Sequence, residues 1–441
     1  MNKNATTSEK LGLKELIAMG VGGMIGGGIF SVLGLSVDLS GHAAPLSFAL
    51  GSMIALAGGY SYVKLALAFR NDGASFTYLE NAFPRQPNIA GIAGWTVIVG
   101  YIGTLALYAF TFGAYGADLL GSPHLVSMRI VLSVGALLFF MLVNIWGVKA
   151  SGEVEDLVVY TKIILLGLFA IAGLTNIHED HFQPLFSKGV TSVFTGGALI
   201  FVAYEGFQLI TNAVRETKNP EKNIPRGIYG SIAITSIIYI ILALVAVGTL
   251  TPQEIVAAKE YALAAAAGPS LGNAGQVLVG IAALLATSSA INGTVFGASR
   301  MMAEMAKDKK MPEAFSLRSR TNVPWAAIMI ITGLAVIFTM SSGLESIAAF
   351  SSMTFLLVST GVSIANLRLR KTTKSSIPLI LIGMILMSAT IVTLTVYLWE
   401  TQRNILILIV TIYLVVMAVE FLFSKRRVVF KKKTRPDSII S

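Results

Sequence analysis

Twelve stretches of about 20 mostly apolar residues follow one another along this chain, and no fold built for water can absorb them all. They fall near 13–37, 43–69, 89–120, 128–148, 153–177, 190–214, 227–250, 274–306, 323–340, 344–367, 377–399 and 405–423. Hydrophobic residues are 54% of the 441 and charged residues 13%, with mean hydropathy +0.74, which removes the usual length-based expectation of several soluble domains. Lipid offers no water to spare backbone groups, so segments of this length span it as helices. The expected fold class is an all-α integral membrane protein with twelve transmembrane helices.

Charge sets the orientation. With both termini cytoplasmic, all but five of the 33 Lys and Arg lie on the cytoplasmic side; Arg129, Lys188, Lys259 and Arg403 lie outside and Lys162 lies within the membrane. That asymmetry fits a multi-pass protein of the cell membrane in this orientation and contradicts the reverse one. The net charge of +10 is thereby explained without nucleic acid. Residues 1–12 read as a polar cytoplasmic tail and 424–441 as a basic one. The runs Lys425-Arg426-Arg427 and Lys431-Lys432-Lys433 suit anionic membrane lipid better than a nucleic-acid or protein partner.

A polar start leading into a long apolar run argues against a cleaved signal peptide. Without cysteine there is no disulfide, thiolate metal site or thiol nucleophile. His42, His124, His178 and His181 sit in loops or at span ends. His178 and His181 bracket Glu179-Asp180, a set that could bind metal but reads more simply as a solvated acidic loop. The sequence calls for no metal, cofactor or obligatory protein partner.

Two spans stand out, the first and the sixth. The first carries Gly26-Gly27-Gly28 and the sixth Tyr204-Glu205-Gly206-Phe207, each a glycine-bearing interruption flanked by polar groups. Interruptions at corresponding places in two halves point to a binding site at the midplane. A unit of five spans repeated once must emerge inverted, which gives repeats over 13–177 and 190–367, with 377–423 forming two peripheral helices. Between spans, Asn71 to Pro87 reads as an amphipathic cytoplasmic connection. Pro252 to Ala267 reads as an external helix, opened by Pro252 and stopped by Gly268-Pro269.

Five glycines lie between Gly22 and Gly28. Each costs about 0.5–1 kcal/mol relative to alanine in a helix interior. Close packing of small residues between helices is one explanation. The other is an unwound segment that must face a cavity. Its outer half-helix would offer N–H groups to a carboxylate, and the carbonyls ending the inner half-helix would accept from an ammonium. Such a site would read the backbone of an amino acid without using a charged side chain.

Lys162 stands alone in the apolar run from Leu157 to Leu174. A charge at bilayer depth costs at least about 2.5–3.5 kcal/mol on insertion scales and marks a pathway, relay or counter-ion site. It is nine residues past Glu153, about 14 Å along a helix, too far to snorkel easily. It is either a fixed brace or a protonatable group. Lys64, six residues from Arg70, can snorkel and reads as structural.

Met24-Ile25-Gly26-Gly27-Gly28-Ile29-Phe30 resembles the first-helix signature of amino acid–polyamine–organocation (APC) transporters. Phe201 to Phe207 with Lys218-Asn219-Pro220 and Ile224-Pro225-Arg226 resembles their sixth-helix signature. Ser288-Ser289-Ala290-Ile291-Asn292, Ala306-Lys307-Asp308 and Met311-Pro312 look like their eighth helix and the loop after it. The likeness is nearest to prokaryotic broad-specificity proton-coupled amino acid transporters, which carry a fifth-helix lysine as Tyr160-Thr161-Lys162 does here.

The resemblance implies a leucine-transporter-like fold with the first and sixth helices unwound. It places the substrate at Met24, Ile25, Gly26, Gly27, Gly28, Val202, Ala203 and Glu205. The Gly27 and Gly28 N–H groups would hold the carboxylate; the carbonyls of Met24, Val202 and Glu205 would accept from the ammonium. Lys162 would carry the coupling proton, with the Gly22 carbonyl and Ser288 or Ser289 as partners, where sodium-coupled relatives hold a metal between helices 1 and 8.

Glu205 departs from the apolar residue usual there. Pairing with Lys162, favouring cationic substrates, proton transfer, and pointing idly into water all remain open. The expectation is proton-coupled amino acid import by alternating access. An amino-acid or polyamine exchanger with a structural Lys162 is the rival. An intramembrane enzyme lacks a nucleophile–base pair, a sensing receptor lacks a sizeable soluble domain, and no ATP-binding loop is present.

Overall fold

The computed structural model describes residues 10–70, 74–147 and 152–433. The first span is split into α1 (Leu13–Met24) and α2 (Gly28–Ser40), followed by α3 (Ala44–Ala68), the short α4 (Ala74–Ala82), α5 (Pro87–Leu119), α6 (Val126–Trp146) and α7 (Gly152–Leu174). The sixth span comprises α8 (Thr191–Leu199), a 3-10 stretch over Ile200–Gln208, and α9 (Leu209–Asn212). Then come α10 (Pro220–Thr249), α11 (Pro252–Ala257), α12 (Ala262–Lys307), α13 (Trp325–Ser341) and α14 (Leu344–Arg368). A single turn, α15 (Arg370–Thr373), leads to α16 (Ile377–Thr401) and α17 (Arg403–Lys433). The one β-bridge among the described residues pairs Leu11 with Thr217 and ties the entry to α1 to the exit from α9.

Among the described residues, ten helical runs are long and apolar enough to cross a membrane. One of them, Gly28–Ala68, holds two of the expected spans, because Gly41 turns the chain between them at φ +58. Trp325–Ser341 is apolar but only 17 residues long. Each apolar run read from the sequence falls on one of these helical segments.

Burial sorts the helices into an inner and an outer set. The most apolar windows of α6 and α17 are 17% buried, whereas those of α5, of α8 to α9 and of α14 are 78–83% buried. The outer helices present Val131, Ile171, Ile385 and Leu422 to the surroundings at 63–69% exposure. Apolar surface this continuous belongs against lipid. The inner helices enclose α1, α2 and the 3-10 stretch, so both interruptions are sealed from lipid, as irregular backbone at that depth requires.

Two connections depart from expectation. The external helix does not run from Pro252 to Ala267. α11 closes after Ala257 and α12 starts at Ala262, continues through Gly268-Pro269, and breaks at Gly272 (φ +63, ψ −160). That left-handed geometry suits only glycine, so the true stop is the residue without a Cβ rather than the proline. In the connection after α3, α4 buries five consecutive residues, Ser75 to Leu79, leaving Glu80 and Asn81 exposed. It is a plug under α5 and α14 more than a surface helix; residues 71–73 of that connection lie outside the described residues.

Candidate functional site

α1 loses its helix at Ile25 (φ −81, ψ 36), and α2 starts after Gly27 (φ −140, ψ −6) with no side-chain cap on its first turn. An uncapped helix start leaves N–H donors and the positive end of the dipole facing the gap. None of these glycines has a positive φ; they are needed because other groups come close. A Cβ on Gly26 would meet Ala290 Cβ at 2.7 Å, and one on Gly28 would meet Ala203 Cβ and the Tyr239 hydroxyl at 2.8 Å. One on Gly27 would strike the Tyr108 ring. Helix interruption and close packing, which the sequence offers as alternatives, coexist.

The sixth span behaves differently. The sequence points to an unwound segment at Tyr204-Glu205-Gly206-Phe207, whereas the backbone tightens into nine residues of 3-10 helix from Ile200 to Gln208. Such runs rarely exceed about four residues, because their hydrogen bonds are poorly aligned. Neighbouring side chains hold this one in place. Ser352 Oγ accepts from Val202 N at 3.0 Å and donates to Leu199 O at 2.6 Å, and the Tyr204 hydroxyl donates to Phe48 O at 2.8 Å. Gly206 lies directly on the Gly23–Met24 backbone, so the two interruptions touch main chain to main chain.

Tyr239 of α10 joins them again. Its hydroxyl lies 2.6 Å from the Met24 carbonyl and 3.2 Å from the Ala203 carbonyl, both as acceptors. The Met24 carbonyl, expected to receive a substrate ammonium, therefore already has a donor. Ser31 Oγ donates to Gly27 O at 2.5 Å and shares a 2.5 Å hydrogen bond with Thr111 Oγ1, which fixes the start of α2 against α5. Tyr239, Tyr108, Thr111 and Ser352 were missed by sequence reasoning; a polar residue in the middle of an apolar run was the available signal.

Lys162 is fully buried, and its Nζ donates to the Gly22 carbonyl at 2.9 Å. Among the described contacts, no hydrogen bond joins Ser288 or Ser289 to Lys162. α12 turns Thr287 and Ala290 toward the break, and the next positions after Thr287 rotate about 100° and 200° away. Lys64 reaches the Lys374 carbonyl at 3.2 Å, near the C-terminal end of α3. Glu205 is 7% exposed, and neither carboxylate oxygen has a hydrogen-bond partner, so the pairing with Lys162 is not made.

Ion pairs lie on both faces. On the side assigned outward, Lys259 pairs with Asp38 of α2, and Arg129 with Glu260 at 2.7 Å; Lys259, Arg129 and Glu260 border a cavity of about 290 Å³ with His124 and Tyr261. On the other side, Arg70 pairs with Glu221 at 3.1 Å, Arg318 with Glu304 at 2.7 Å, and Lys310 with Glu80.

Residues 11–421 match the family model described as amino acid permease. The chain is 32% identical over 419 residues to an uncharacterized protein of Methanocaldococcus jannaschii, covering 95% of this chain and 96% of that one. It is 29% identical over 438 residues to the inner membrane transport protein YbaT of Escherichia coli, covering 97% and 100%. It is also 29% identical over 354 residues to the serine/threonine exchanger SteT of Bacillus subtilis, covering 78% and 79%. A match along almost the whole length, with ten runs able to cross a membrane, makes this a multi-pass membrane protein that belongs to the amino acid permease family.

Proposed function

We propose that this chain is a secondary active transporter that imports amino acids across the cell membrane with a proton as coupling ion. The observation that carries the reading is the buried Lys162 ammonium bonded to the Gly22 carbonyl, two residues before α1 ends. A lysine is a cation that can be switched off by losing a proton, so this bond can be made and broken by the coupling ion. Breaking it would free α1 from α7. The substrate would lie at Met24 to Gly28 with Val202, Ala203 and Glu205, its carboxylate on the uncapped start of α2. One charge moved inward gains about 2.3 kcal/mol per 100 mV, enough for about fiftyfold accumulation.

The architecture that goes with this reading has twelve helices: inverted repeats over 13–177 and 190–367, helices over 377–423 at the periphery, and both termini in the cytoplasm. Interrupted first and sixth spans and the Lys and Arg asymmetry support it. The ion pairs on each face suit alternating access, since each set could open while the other stays closed.

The test is purified protein in liposomes with labelled amino acids. Uptake should rise with an inward proton gradient and ignore replacement of sodium by choline. Strict sodium dependence would sink proton coupling. Exchange is the second reading, favoured by the likeness to a serine/threonine exchanger. In that case Lys162 is a brace, and uptake should need internal counter-substrate whatever the pH gradient.

A further inference from the structure

Glu205 sits in the middle of the 3-10 stretch with both carboxylate oxygens buried and unpaired. An isolated ionised carboxylate in apolar surroundings costs so much that it is neutralised, by a proton or by a cation. Among the described residues no cationic side chain pairs with it. The titratable groups within electrostatic range are phenols, Tyr62 from α3 and Tyr101 and Tyr108 from α5. Tyr239 from α10 is occupied with the Met24 and Ala203 carbonyls, and Lys162 donates to Gly22.

Tyr108 links this carboxylate to the start of α2, because its ring is what a Cβ on Gly27 would strike. An amino acid whose carboxylate rested on the N–H groups of Gly27 and Gly28 would have Tyr108 alongside, the phenol that also neighbours Glu205 electrostatically.

We infer that Glu205 is a specificity-determining residue that selects amino acids with a cationic side chain, its carboxylate pairing with the substrate's terminal ammonium or guanidinium. This rests on the amino acid transport reading above. When the site is empty the carboxyl keeps a proton. When a cationic substrate enters, the proton leaves to water and the ion pair replaces it. A neutral substrate leaves the carboxyl protonated. A cation of this kind and a proton thus compete for one group, and leucine or alanine does not take part in that competition.

The experiment is competition against labelled leucine by lysine, arginine, ornithine and alanine, with purified protein in liposomes. In the unaltered protein, lysine or arginine should compete at least about tenfold better than alanine. Lowering the pH from about 7.5 to about 5.5 should weaken lysine severalfold relative to leucine. Glu205→Gln keeps the shape and removes the charge; the ratio of lysine to leucine affinity should fall tenfold or more, and its pH dependence should flatten. Glu205→Asp should retain a cationic preference. If leucine binds and no cationic amino acid competes, the inference falls and the transport reading stands; if no amino acid binds, both fall. An unchanged ratio in Glu205→Gln also overturns it. Should that variant not fold, the ranking in the unaltered protein and in Glu205→Asp decides.

Discussion

The two interrupted spans solve the same problem in opposite ways. The first breaks cleanly, losing its helix at Ile25 and restarting at Gly28 with an uncapped turn. The sixth never lets go; it stretches into a nine-residue 3-10 segment braced by Ser352 and Tyr204. The first therefore leaves a helix start without a cap, and the sixth leaves a buried side chain, Glu205, without a hydrogen-bond partner. In the proposed site, backbone recognition and side-chain recognition would fall to different helices, and the difference traces to glycine content: five glycines crowd the first interruption, whereas Gly206 serves the sixth chiefly as the place where the two main chains meet.

The most damaging change should be Gly206→Val. A Cβ there meets the backbone of Gly23 and Met24, which cannot step aside, so folded protein should be largely lost. Monodispersity and thermal melting in detergent check this. Gly27→Val should be gentler on the fold, since its Cβ meets a ring that can swing, yet binding should fall for every amino acid alike because the shared backbone is what that break reads. Loss for one side-chain class alone would merge the two roles.

Lys162→Ala should fold but lose gradient-driven uptake. Removing a buried cation relieves its desolvation while breaking the Gly22 contact, so binding should survive in part. Normal pH-driven accumulation in this variant would move the proton to another group. Tyr239→Phe comes next: it strips one hydroxyl from two carbonyls, at a cost of about 1–3 kcal/mol. Both interruptions should loosen together, seen as faster hydrogen exchange at Met24 and at Ala203. A change confined to one of them would break the comparison.

The smallest effect should come from Thr251→Ala. α11 begins with a full capping box, in which Glu254 Oε2 accepts from Thr251 N at 2.8 Å while Thr251 Oγ1 accepts from Glu254 N at 3.4 Å. This is the occupied counterpart of the bare start of α2, and losing it should cost about 1 kcal/mol. Hydrogen bonds from the Thr251 N–H and hydroxyl hold the Glu254 carboxyl below its usual range. A lowered folded value adds stability above the unfolded one, near pH 4.3, and that stability disappears as the pH falls through the folded value. The variant loses only the hydroxyl bond and keeps the larger contribution of the backbone N–H, so this acid-side slope should shrink in a melting curve recorded against pH.

Much of this was readable in the sequence because lipid imposes length and glycine imposes absence. The apolar runs fell on helices, and Gly26-Gly27-Gly28 marked the first interruption to within a residue. The Gly22 partner of Lys162 was legible only through the family resemblance. What escaped depended on side-chain direction and on backbone choices close in energy. Ser288 and Ser289 differ from Thr287 only by rotation about α12, and composition does not record which of them faces inward. The 3-10 stretch has ordinary residues in an unusual helix, so nothing in Ile200 to Gln208 announces it. The misplaced stop near Pro269 shows a breaker overruled by a glycine three residues on.

The Tyr239 hydroxyl has a single proton for two carbonyls. Whatever next claims the Met24 carbonyl must share that proton or send it toward Ala203. The two interrupted helices therefore hold a ligand in common even when nothing is bound, and filling one side alters what the other has to offer. News of an arriving ammonium could cross from the first helix to the sixth by the rotation of one phenol O–H, with no backbone yet displaced.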